Sequence, residues 1–228
     1  MSILAGEMLT EDYLIRMINL ALAALASIVG LKTASKYYEA FIEIDQTLEQ
    51  LLGLRSDLVR RLDDNSILAA LTIHGSLDVD RLWIVAELYK EEGDINTAQN
   101  NPAQGYWSYL RSLNFNLYGV LEGGGKHLPE PVEKIQALIK TLQGYDLPPE
   151  TLFSLFYFYE QMGEYIKAEV TLERLMTVPG AQEDIRAEMI DFYQRLLEKS
   201  KADLVKAGLT RAQVEDRLAK LKPGLNQI

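Results

Sequence analysis

The chain has 228 residues, 48% of them hydrophobic and 25% charged, which suffices for a continuous core in one large domain or two modest ones. Its 23 Lys and Arg against 33 Asp and Glu leave a formal charge of −10, which argues against a nucleic-acid partner, because such binding rests on neutralising phosphates. There is no cysteine; that removes disulfides, thiolate catalysis, iron–sulfur clusters and Cys-type zinc sites, and it fits a cytoplasmic setting.

From Met17 to Leu31 the chain carries no charge. The run is shorter than the roughly 20 residues of a bilayer span. Glu11, Asp12 and Arg16 precede it where a signal peptide would be basic. This pattern predicts a buried helix with no membrane role, starting at Thr10 or Glu11 and stopped by Gly30, with Met1–Glu7 as a loose extension. Leu14, Met17, Ile18, Ala21, Leu22, Leu25, Ile28 and Val29 make one face, and Leu20, Ala23 and Ala24 leave little polar surface elsewhere. A terminal helix apolar on most sides needs a second cover. The expectation is a homodimer closed through Leu20 and Ala24.

A second helix is predicted over 35–52, with Tyr37, Ala40, Phe41, Ile44, Leu48 and Leu51 inward and Gly53 as its stop. Residues 54–77 hold shorter pieces at 57–62 and 66–73, and His74-Gly75-Ser76 reads as a turn. A long helix over 78–99 places Leu82, Val85, Ala86, Tyr89, Gly93 and Asn96 on one line. Asn100-Asn101-Pro102 breaks it, and a partner helix follows from Ala103 to about Val120. Three glycines in Glu122–Lys126 mark a linker, which divides the chain into domains 8–122 and 129–228. In the second, helices are predicted from Pro129 to Leu142, over 152–161 and 165–176 around a Met162–Glu164 turn, over 182–200, and from Thr210 to Pro223. The last opens on a capping box of Thr210 and Gln213.

Chemistry is sparse. Gly123–Lys126 invites a phosphate-loop reading, but Val120 stands in the first Gly slot, His127 in the hydroxyl slot, and a helix precedes. His74 and His127 are the two histidines and form no paired motif, and Asp78 and Asp80 lack the rest of a calcium loop. Glu91-Glu92 and Glu183-Asp184 read as solvated helix faces. No catalysis and no cofactor are expected. Phe153, Phe156, Tyr157, Phe158 and Tyr159 are the remaining signal: Phe156 and Tyr159 read as core, and Phe153, Tyr157 and Glu160 as one line facing either a neighbouring helix or a partner-binding groove.

The stretch Leu152–Pro179 resembles a tetratricopeptide-type hairpin through Leu155, Tyr159, Gly163, Tyr165, Ala168 and Pro179, departing at Phe156 and Leu175. Small residues at Ala40, Gly105 and Ala168 recur at about two such repeats. Residues 8–121 are similar to a bacterial family catalogued as a domain of unknown function, through Met8–Ile18, Tyr38–Leu54 and Arg81–Asp94. That resemblance implies no chemistry. The sequence reading is therefore all-α, with antiparallel hairpins stacked as a tetratricopeptide-like superhelix. It describes a non-catalytic scaffold that binds a protein or peptide, or a second copy of itself. The alternative is a small-molecule-binding or regulatory module with its pocket between the two halves.

Overall fold

The computed structural model describes residues 2–123 and 129–221. They are almost entirely helical, in two compact units, Met1–Tyr145 and Asp146–Ile228. The fold class is all-α.

The first unit holds α1 (Ser2–Thr33), α2 (Tyr37–Leu52), α3 (Ser56–Val59), α4 (Asp64–Ala70), a two-residue antiparallel hairpin of β1 (Thr72–Ile73) and β2 (Ser76–Leu77), α5 (Val79–Ala98), α6 (Pro102–Gly123) and α7 (Pro129–Thr141). Local chemistry places the breaks. Asp63 and Asp78 cap α4 and α5, their carboxylates accepting from Ser66 N at 2.8 Å and Arg81 N at 3.0 Å. His74 and Gly75 both have positive φ, 51° and 81°, as a two-residue type I′ hairpin turn requires. Asn100 (φ 63°) ends α5, and Pro102 opens α6, where a missing N–H costs nothing.

The helix surrounded by its neighbours is α5. α1, α2 and α6 all pack on it, and Leu82, Ile84, Val85, Ala86, Leu88, Tyr89 and Ile95 are buried. The close approach of α6 depends on glycine: a Cβ at Gly93, Gly105 or Gly119 would fall 2.6–2.7 Å from Tyr109, Thr97 or Trp83. By contrast α1, expected to be buried on most sides, packs on α2 and α5 and leaves Ile15, Leu20, Leu22 and Val29 exposed among its described side chains. It runs through Gly30 without interruption and ends beside Ser35 (φ 58°), while Ser2–Glu7 continue the helix instead of forming a loose extension.

The division expected at the glycine run differs from that of the compact units. Ile135, Leu138 and Leu142, on one line of α7 and just past its end, are buried, α7 packs on α6, and Lys134 pairs with Glu87 of α5 at 3.2 Å. These contacts tie α7 to the N-terminal unit, so that unit runs on to Tyr145. Gly124–His127 lie outside the described residues.

The second unit comprises α8 (Pro149–Gln161), α9 (Tyr165–Met176), α10 (Gln182–Leu197), α11 (Lys201–Lys206) and α12 (Arg211–Leu221). Gly163 (φ 75°) closes α8; Glu164 N donates to Tyr159 O and Gly163 N to Glu160 O, the paired bonds of a Schellman turn. α8 and α9 then pack as an antiparallel hairpin around fully buried Ala168. Phe156 meets Phe192 of α10 edge-on at 5.5 Å. The helix predicted over 182–200 forms and stops at Leu197; a short helix not predicted follows it, where Ser200 is extended and its hydroxyl accepts from Asp203 N at 3.1 Å, starting α11. The Thr210–Gln213 capping box forms as expected, with Gln213 Oε1 accepting from Thr210 N at 2.8 Å and Thr210 Oγ1 from Gln213 N at 3.3 Å.

Candidate interaction site

Among the residues of α1 whose side chains are described, 15–33, Ala21 and Ile28 are fully buried. Their side of the helix carries Lys32, which reaches α5 and pairs with Glu91 (2.5 Å) and Asp94. On the other flank Ile15, Leu22 and Val29 follow one another at seven-residue spacing and are 52%, 51% and 44% exposed. Ile18 and Leu25, half-buried, border this line, so large apolar residues recur at 15, 18, 22, 25 and 29. Three- and four-residue steps of this kind keep one stripe pointing in one direction.

Of the two residues expected on a dimer face, neither lies on the Ile15–Leu22–Val29 line. Leu20 is exposed, but two residues from Leu22 it stands about 160° away around the helix. Ala24 is half-buried towards the packed side. The difference arises from which flank α2 and α5 cover, which the apolar circumference of the sequence does not encode. The helix over Ile15–Thr33 is also long and apolar enough to cross a membrane, with a mean hydropathy of 1.6 in its 18-residue window.

On α8 the expected line of Phe153, Tyr157 and Glu160 turns towards α10. Arg195 Nε and Nη2 donate to Glu160 at 2.8 and 2.9 Å, and Nη2 also reaches Glu188 at 2.9 Å. The Glu160 hydrogen bond holds the guanidinium above its usual pKa range. Phe153 meets Phe156 edge-on, Tyr157 lies tilted against both, and Tyr157 remains 38% exposed. Tyr159, expected in the core, is half-buried under Lys167, while Phe158 takes the core position. An open aromatic surface occurs instead on α6: Trp107 is 59% exposed beside Tyr106, which stacks on Tyr145 at 4.9 Å.

A cavity of about 470 Å³ lies within the second unit, between α9, α10 and α12. Ile166, Val170 and Met189 form its apolar wall. Its polar centre is internally satisfied, since Glu169 accepts from the Tyr193 hydroxyl at 2.5 Å and pairs with Arg217. Burial, with the bond to Glu169 added, raises the Tyr193 phenol above its usual range. Lys220 on the rim is paired with Asp216 at 2.6 Å.

Over residues 8–225 the chain matches the Family of unknown function (DUF6483). The chain belongs to this family. No curated protein and no solved structure matches it. The family spans both compact units of this chain, well past the stretch ending at 121 whose resemblance the sequence suggested.

In this family member the acidic residues of α5 are structural rather than a solvated face. Glu91 and Glu92 are buried; Glu91 is held by Lys32 and Lys90, and Glu92 by Arg60 and the Ser108 hydroxyl. Asp94 completes the first group, accepting from Lys90 at 3.0 Å and from the Tyr109 hydroxyl at 2.9 Å. Burial, reinforced by Asp94, lifts the Tyr109 phenol to about 12. Burial works against charge on Asp94, yet the hydrogen bonds from Lys32, Lys90 and Tyr109 more than offset it and hold the acid below its usual range. Sequence spacing could not find these sets, because their members come from positions 32, 60, 90–94 and 108–109. Among the described residues no three His, Asp or Glu side chains converge as metal ligands.

Proposed function

We propose that this protein is a non-catalytic helical interaction protein whose binding surface is the exposed apolar flank of α1. The observation that carries the reading is the line Ile15, Leu22, Val29, large apolar side chains about half in solvent on a helix anchored along a neighbouring side by the packing of Ala21 and Ile28 and by Lys32. A continuous exposed apolar stripe is an unfavourable surface to leave in water and usually marks an association site. Charge supports a polypeptide over a lipid surface: Met17 to Leu31 carries no cation, and a chain of net charge −10 is repelled by anionic headgroups. In the second unit the α8–α9 hairpin closing on Ala168 supports a tetratricopeptide-like arrangement.

The test is affinity capture on the immobilised full-length chain from host extract, in parallel for the unaltered protein and Leu22→Glu. Proteins retained by the first and lost with the second are the expected result. Identical retained sets would overturn the reading.

The cavity between α9, α10 and α12 favours a second reading, a small-molecule-binding module, since its volume suits a small ligand. Its carboxylate and guanidinium already satisfy each other, which weakens the case. A compound collection that raises the Tm of the unaltered protein but not of Met189→Trp, which fills the cavity, would support that reading.

A further inference from the structure

The cavity between α9, α10 and α12 keeps one charge that its own walls do not neutralise. Ile166, Glu169, Val170 and Glu173 share one side of α9 and line it. Glu169 is buried and engaged by the Tyr193 hydroxyl and by Arg217. Lys220 is held by Asp216, one turn earlier on α12. Burial, with the bond to Glu169 added, keeps the Tyr193 phenol protonated at neutral pH, so it contributes no charge. Glu173, one turn beyond Glu169, is exposed, and its carboxylate has neither an ion pair nor a hydrogen bond among the described residues.

Beside that carboxylate stands an aliphatic wall. Ile166 and Val170 are about half exposed, and Met189 of α10 adds to their surface. Aliphatic side chains next to an unpaired carboxylate match a molecule that is apolar along its length and cationic at one end. An anion does not fit, since it would meet Glu173 while Arg217 and Lys220 are already paired. The net charge of −10 also draws cations towards the protein. Size agrees. Ile166 and Glu173 are about 10 Å apart along the helix, comparable with an extended hexyl chain and its ammonium group. The cavity volume of about 470 Å³ admits such a molecule.

We propose that this cavity binds a small aliphatic amine as its ammonium ion, with Ile166, Val170 and Met189 against the alkyl chain and Glu173 against the nitrogen. The proposal rests on the reading of the cavity as a small-molecule site, and names the class of ligand.

Hexylamine, 1-hexanol and hexanoate are the probes, matched in chain length and differing in charge. The readout is the shift of the Ile166, Val170 and Met189 methyl signals in NMR spectra of the full-length chain at pH 7. Hexylammonium is expected to move all three along a saturable curve, and to bind more tightly than hexanoate. That comparison needs no substitution. Glu173→Gln is expected to weaken hexylammonium roughly two- to five-fold, which is what an exposed ion pair supplies, and to leave 1-hexanol unchanged. The side chain is exposed, so this variant leaves the core intact. Hexylammonium that binds no better than hexanoate overturns the ligand class and leaves the cavity reading standing. The same holds if Glu173→Gln weakens neither hexylammonium nor 1-hexanol, or weakens both alike. Methyl signals that none of the three probes moves overturn the ligand class and the cavity reading together.

Discussion

Gly93 faces the ring of Tyr109 so closely that a Cβ at position 93 would lie 2.6 Å from Cδ1 and Cε1. The α5–α6 contact exists because one partner has no side chain there. Gly93→Ala should destabilise the protein by about 1–3 kcal/mol, the usual cost of overpacking, read as a lower urea midpoint at constant slope. Tyr109→Leu in the same chain should make the double substitution less damaging than the sum of the two. An unchanged midpoint for Gly93→Ala would show that the helices can separate at no cost.

Ala168 plays the corresponding part in the second unit, fully buried where α9 meets α8. Ala168→Leu should cost about 1–3 kcal/mol, since neither helix offers room for three more carbons. Amide exchange should show the loss in α8 and α9 and leave α5 and α6 protected.

The Asp94 group gives a pH dependence with a definite sign. Because Asp94 is held below its usual pKa, it contributes stability above the unfolded value of about 4 and loses it as pH falls through the folded value. Asp94→Asn should therefore lower the urea midpoint at pH 7, and the gap to the unaltered protein should narrow at pH 3. A gap that is the same at both values would mean that the carboxylate charge contributes nothing there.

Ser112 is completely buried on α6, and its hydroxyl has no hydrogen-bond partner among the described residues. Ser112→Ala should be neutral or stabilising by up to about 1 kcal/mol, because it removes an unsatisfied polar atom from the interior. A clear loss of Tm would reveal a partner for that hydroxyl.

Local chemistry carried much of the architecture. The Asn-Asn-Pro break, the Met162–Glu164 turn and the Thr210–Gln213 cap appear where the residues placed them, since each depends on atoms within a few positions of one another. The inward lines of α2 and α5 were legible for the same reason: helical period alone decides which residues share a face. Gly30 misled, because a single glycine in a long apolar helix costs only about 1 kcal/mol and the rest of α1 outweighs it. Ser200 was missed because a serine cap inside a polar stretch looks like ordinary surface.

What the sequence could not supply was the neighbour of each face. It showed that Met17–Leu31 is apolar nearly all round, but the exposure of Ile15, Leu22 and Val29, with Leu20 on another side, follows from where α2 and α5 pack. Glu160 looked free until Arg195, 35 residues away, proved to hold it. The Lys32–Glu91–Asp94 group joins positions some 60 residues apart. Periodicity determines what a helix can present. Only the packing of distant segments decides what it does present, because burial and charge pairing are properties of contacts and not of any one stretch of chain.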